Sequence, residues 1–106
     1  MRPSTNQPLM EALALELKVR RRELGLTQED LAGRCNLDRP YISLIEVARK
    51  QPTLSVLYRL SEALELPLSC FMGRVQARYQ NEHAMSQLTS TNSATDSVGG
   101  PAVEQS

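Results

Sequence analysis

Between Gly25 and Pro40 the chain carries two helix stops and two helix starts, and this punctuation constrains the fold more than any other feature. Gly25 follows a stretch in which Leu9, Leu13, Leu17 and Leu24 recur near a helical period, and a glycine there is a common left-handed helix end. Thr27 opens a second helix: "TQED" is Thr-x-x-Asp, close to a capping box, with Asp where Glu is favoured. Leu31, Ala32 and Cys35 give that helix an apolar side, and Asn36, a residue tolerant of αL geometry, ends it. Asp38 is placed to cap a third helix, its charge suited to the positive end of the dipole. Pro40 falls in the first turn, where its missing N–H is harmless. Two helices therefore meet across a very short turn at Asn36 and Leu37.

The pattern resumes after "VARKQP". Thr53 caps a fourth helix with Leu54, Leu57, Leu60 or Ser61, and Leu64 facing in. "LPLSCFMGRVQARYQ" begins a fifth, with Phe71, Val75 and Tyr79 at i, i+4 and i+8 and Gly73 as a potential break. From about residue 80 the chain is rich in Ser, Thr, Asn, Gln and Gly, ending "STNSATDSVGGPAVEQS", and it cannot bury enough apolar surface to fold alone. The expected architecture is all-α: five short helices within residues 9–79, then a disordered polar tail over 80–106.

At 106 residues this fits one small domain, and with no Trp and one Phe its core must be mostly aliphatic. No apolar run is long enough to span a bilayer, and "MRPSTNQPLM" lacks the h-region of a signal peptide, so a cytoplasmic location is expected. Cys35 and Cys70 are then reduced thiols. Neither has a CxxC partner and His83 is the single histidine, so the pair reads as two small buried hydrophobes and not as a metal site. The formal net charge of zero hides a split: residues 1–79 hold all 12 Lys+Arg and 9 of the 12 Asp+Glu, a surplus of +3. Glu82, Asp96 and Glu104 give residues 80–106 a charge of −3.

The stretch "RRELGLTQEDLAGRCNLDRPYISLIE", followed by "PTLSVLYRLSEALELPLSCF", resembles the Cro/repressor (XRE-type) helix-turn-helix family across roughly residues 9 to 72. The run Gly-Leu-Thr-Gln-Glu-x-Leu-Ala combined with "YISxIE" carries the likeness, and "DRPYIS" points to small stand-alone regulators such as restriction–modification controller proteins. The resemblance implies a compact five-helix, lambda-repressor-like DNA-binding domain with its helix-turn-helix at about 27–47. In that motif the first helix crosses the DNA backbone and the second lies in the major groove of double-stranded DNA. The resemblance also implies that Gln28 clamps a phosphate, that the Tyr41 hydroxyl reaches another, and that Arg21 pairs with Glu46. One departure stands out: members usually carry Gly where this chain has Ala48. If φ stays positive there, Ala costs about 1 kcal/mol relative to Gly; if the helix ends differently, Arg49 and Lys50 shift.

On a 100° wheel with Ile42, Ile45, Glu46 and Arg49 inward, Pro40, Ser43, Leu44 and Val47 point outward, with Arg39 and Tyr41 on the flanks. Arg39 suits a bidentate pair with guanine, Ser43 can donate or accept, and Pro40 and Leu44 suit a thymine methyl. The bland alternatives are a solvated Arg39, a Leu44 packed on a neighbouring helix and a Tyr41 at the core edge. Arg49 and Lys50 read as DNA-backbone contacts. The expected function is a sequence-specific transcriptional regulator, bound to a pseudopalindromic operator as a homodimer because one small domain makes few base contacts. Leu66, Leu68, Phe71 and Met72 are candidates for the dimer surface, or else plain core. The alternative is a protein-interaction module of the same fold, adaptor- or antitoxin-like, whose tail binds a protein partner. One histidine, no nucleophile–base spacing and no Gly-rich phosphate loop argue against an enzyme, and no cofactor is expected.

Overall fold

A computed structural model describes the backbone of residues 5–90 and the side chains through Glu82. It contains α1 (Gln7–Glu23), α2 (Gln28–Cys35), α3 (Arg39–Glu46), α4 (Leu54–Ala63) and α5 (Leu68–Ser90), with no strand among the described residues. None of these helices is long and apolar enough to cross a membrane.

Each helix start has a local cause. Asn6 caps α1 by accepting from Leu9 N–H at 3.1 Å, with Pro8 in the first turn. The capping box of α2 is complete: Asp30 N–H donates to Thr27 Oγ1 and Thr27 N–H to Asp30 Oδ2, both at 3.0 Å. Thr53 caps α4 through Val56 N–H at 3.2 Å. At α3 the expected side-chain cap is missing. Asp38 has the extended backbone of an N-cap, but its carboxylate makes no capping bond, and only its carbonyl accepts, from Tyr41 and Ile42 N–H.

The first four helices end alike, each with one left-handed residue and a paired closure of the last turn. These residues are Gly25, Asn36, Ala48 and Glu65, with φ of 72°, 58°, 60° and 62°. At α3, for example, Ala48 N–H reaches Ile45 O at 3.0 Å and Arg49 N–H reaches Leu44 O at 2.9 Å, a Schellman arrangement. The closure therefore survives the loss of glycine at position 48. Glu65 carries the same strain, a feature with no signal in the sequence.

The core is built from Leu17, Leu31, Ile42, Ile45, Leu60, Leu64, Phe71 and Val75, drawn from all five helices. α1 lies against α3 and α5, α2 against α3 and α4, and α4 against α5. Three expectations need correction. Leu54 is 72% exposed: as the first residue of α4 it precedes the core, and Pro52 is the buried residue at that end. Cys70 is exposed, whereas Cys35 is buried and its thiol is pushed up to about 11 by desolvation. α5 passes through Gly73, read as a potential break, without interruption, and its last turns, to Ser90, run into the expected polar tail. Residues 91–106 of that expected tail lie outside the described residues.

Candidate nucleic-acid interface

The placement of α3 depends on one buried carboxylate. Glu46 accepts from Arg21 twice, Nε to Oε2 at 2.6 Å and Nη2 to Oε1 at 3.0 Å. Arg21 Nη1 also donates to Leu26 O at 2.7 Å, and Gln28 Nε2 donates to Glu46 Oε1 at 2.9 Å. Burying two ions is costly, and a forked guanidinium–carboxylate pair with further hydrogen bonds is the arrangement that offsets it. The result joins α1, the start of α2 and the end of α3 at one point. Glu46 takes one amide N–H of Gln28, which retains a second at the first position of α2.

With Ile42, Ile45 and Glu46 buried, α3 turns Arg39, Pro40, Leu44 and Val47 to solvent, while Ser43 and Tyr41 are half-buried. Tyr41 packs at the core edge, and Lys50 Nζ stands 5.8 Å from its ring centroid, within cation–π range. Arg49 departs from the wheel, which placed it inward. α3 ends at Glu46, the left-handed turn at Ala48 redirects the chain, and Arg49 is exposed. This loop is held from α1, where Gln7 Nε2 donates to Ala48 O at 3.1 Å and Met10 and Ala14 pack on Ala48. Sequence reasoning missed that role of Gln7 and Met10, since only the fold brings residues 7–14 beside position 48.

The charges around α3 are open. Among the described residues Arg39 and Arg49 make no ion pair, whereas Arg20, Arg21, Arg34, Arg74 and Arg78 each hold a carboxylate. Three acids lie nearby: Glu29 and Asp30 in the first turn of α2, where the Asp30 carboxylate is turned back onto Thr27, and exposed Asp38 directly before Arg39. The hydrogen bond from the Thr27 backbone N–H holds the Asp30 carboxyl below its ordinary range. The dimer candidates divide: Phe71 is 0% exposed inside the core and is no surface residue, while Leu66, Leu68 and Met72 are half-buried.

A five-helix domain with a tight α2–α3 turn, and with the outer face of α3 clear and flanked by open cations, defines the helix-turn-helix class. A family model described as helix-turn-helix matches residues 17–69, and the chain belongs to the XRE-type helix-turn-helix family of transcriptional regulators. It is 46% identical over 44 residues to an HTH-type transcriptional regulator of Sinorhizobium fredii, covering 42% of this chain and 57% of that protein. It is 40% identical over 57 residues to the immunity repressor protein of Bacillus phage phi105, covering 54% of this chain and 40% of the repressor. The chain thus spans about half the length of these curated relatives. The restriction–modification controller protein C.Esp1396I, solved as a tetramer in complex with its natural 35 base-pair operator, superimposes with a TM-score of 0.64. That match has 35% identity and covers 68% of this chain and 95% of the controller. The clp gene regulator ClgR of Corynebacterium glutamicum shares the fold at a TM-score of 0.71 and 24% identity, over 83% of this chain and 92% of that one.

Proposed function

We propose that this chain is a sequence-specific DNA-binding transcriptional regulator that inserts α3 into the major groove and acts as a homodimer on a pseudopalindromic operator. The observation that carries this reading is the outer face of α3, exposed, with the helix's own acid Glu46 turned inward, and set in place by the buried Arg21–Glu46–Gln28 cluster. Arg39 at the helix tip reads a guanine through its O6 and N7. Pro40, Ser43 and Leu44 complete the base-facing surface. Gln28, through its second amide N–H at the start of α2, Tyr41, Arg49 and Lys50 bind phosphates and fix the register. The operator-bound controller supports this by likeness.

Pairing of two copies follows from the small footprint of an eight-residue reading helix. Leu66, Leu68 and Met72 remain candidates for that contact, and Leu54 and Tyr58, exposed on α4, are further apolar candidates. The test is selection of bound duplexes from a random library, with sedimentation of the protein at micromolar concentration. A two-fold-symmetric enriched motif and a dimer are expected. Absence of any enriched motif would overturn the reading and leave the protein-interaction module in its place.

A further inference from the structure

The outer face of α3 is apolar along its length. Pro40, Leu44 and Val47 recur at i, i+4 and i+7, a single helix face, and Leu44 and Val47 are 42% and 57% exposed. Glu46, the acid within α3, is turned inward and held by Arg21. Cations stand at both ends of the strip, Arg39 before it, next to the exposed carboxylate of Asp38, and Arg49 and Lys50 after it, a surplus of two positive charges. Solitary exposed apolar side chains need no explanation, but a strip on the face that α3 leaves free does.

The charge pattern selects the partner. An apolar strip flanked by cations fits a surface that sets small apolar groups between rows of negative charge. The major groove over thymines is such a surface: the 5-methyl is its apolar group, and phosphates line both walls. From Pro40 to Val47 the strip covers about 10 Å at 1.5 Å per residue, roughly three base-pair steps. Arg39 and Ser43 supply the hydrogen-bonding side chains near this face, so the base pairs beneath the strip must be told apart by shape.

We propose that Pro40, Leu44 and Val47 read the 5-methyl groups of pyrimidines on neighbouring base pairs, with Val47 as a specificity-determining residue. The half-site is then a guanine for Arg39 beside a short thymine tract. This rests on the DNA-binding reading above. Because a methyl is read and no hydrogen-bonding edge, 5-methylcytosine resembles thymine to this face and cytosine does not.

The experiment uses the full chain on its selected operator, with each thymine of the half-site replaced in turn by deoxyuridine. That change removes one methyl and leaves every hydrogen-bonding group in place. A loss of about fourfold in affinity is expected for each methyl that becomes buried. Leu44→Ala and Val47→Ala should weaken binding to the thymine operator while abolishing the penalty for uridine at the pair each one touches. Their melting temperatures should match the parent, since both side chains face solvent. Placing cytosine at a sensitive pair should lower affinity, and 5-methylcytosine should restore part of it. Equal affinity for thymine and uridine operators, whatever the two variants do, would overturn the inference and mark the strip as a protein-docking or filler surface. If the parent chain prefers no duplex over a scrambled one, the DNA-binding reading itself falls and this inference with it.

Discussion

Two faces of the molecule carry arginines and use them in opposite ways. Between α1 and α5, buried Glu16 accepts from Arg74 at 2.8 Å and from Arg78 at 3.0 Å, and Glu23 pairs with both Arg74 and Arg20. On that face the positive charge is matched by carboxylates of the same fold. Around α3, Arg39 and Arg49 hold no carboxylate among the described residues, and Lys50 meets an aromatic ring. The formal net charge of zero, +3 over residues 1–79 and −3 over 80–106, does not show this difference. Of the arginines on these two faces, those beside α3 are the ones left without a carboxylate among the described residues, and they are what a partner at α3 meets.

The largest expected effect comes from the carboxylate beneath the open face. Glu46→Ala leaves Arg21 buried without a counter-ion and should cost about 3–5 kcal/mol, read from urea unfolding. Glu16→Gln should cost less, about 1–2 kcal/mol, because Arg74 and Arg78 are about a third exposed and can turn to water. Equal losses for the two would break the distinction between a sealed ion pair and one open to solvent.

Ala48→Gly should raise stability by up to about 1 kcal/mol by relieving the left-handed strain at φ 60°. A loss instead would mean that the Ala48 methyl, packed on Met10 and Ala14, outweighs the strain. The smallest effect concerns acid. The Arg20 hydrogen bond holds Glu23 below its ordinary 4.5, and the Thr27 N–H holds Asp30 below its ordinary 3.8. Both groups protonate more readily when unfolded, so their contribution is present above those ordinary values and is lost as pH falls through the lowered ones. Urea midpoints should therefore drop on acidification below about pH 4.5, and Asp30→Asn should flatten part of that slope.

How much of this the sequence discloses depends on distance along the chain. Thr27 with Asp30, Asn36 and Thr53 act on neighbours three or four residues away, so their roles are visible in the residues themselves. Glu16 lies 58 and 62 residues from Arg74 and Arg78, and no local pattern joins them. Arg21 opposite Glu46 is legible through family resemblance and not through periodicity. Periodicity placed Leu54 inward because a wheel knows the face of a helix but not where the core stops. It placed Phe71 equally well on a dimer surface or in the core, and packing against α1 and α4 decides for the core. Composition marked residues 80–90 as too polar for a core, yet a helix already anchored by Phe71 and Val75 extends through them.

The central claim is that the open face of α3 reads DNA while the closed face does not. It is tested most directly by measuring Arg39→Ala and Arg74→Ala on the selected operator and on a scrambled duplex, at two salt concentrations. Arg39→Ala should lose about 1–3 kcal/mol per half-site on the operator and far less on the scrambled duplex, with discrimination relaxed at one base pair. Arg74→Ala should leave both affinities unchanged. Equal weakening of operator and scrambled duplex by Arg39→Ala would make Arg39 a phosphate contact, and parental binding by Arg39→Ala would contradict the assignment of the reading face.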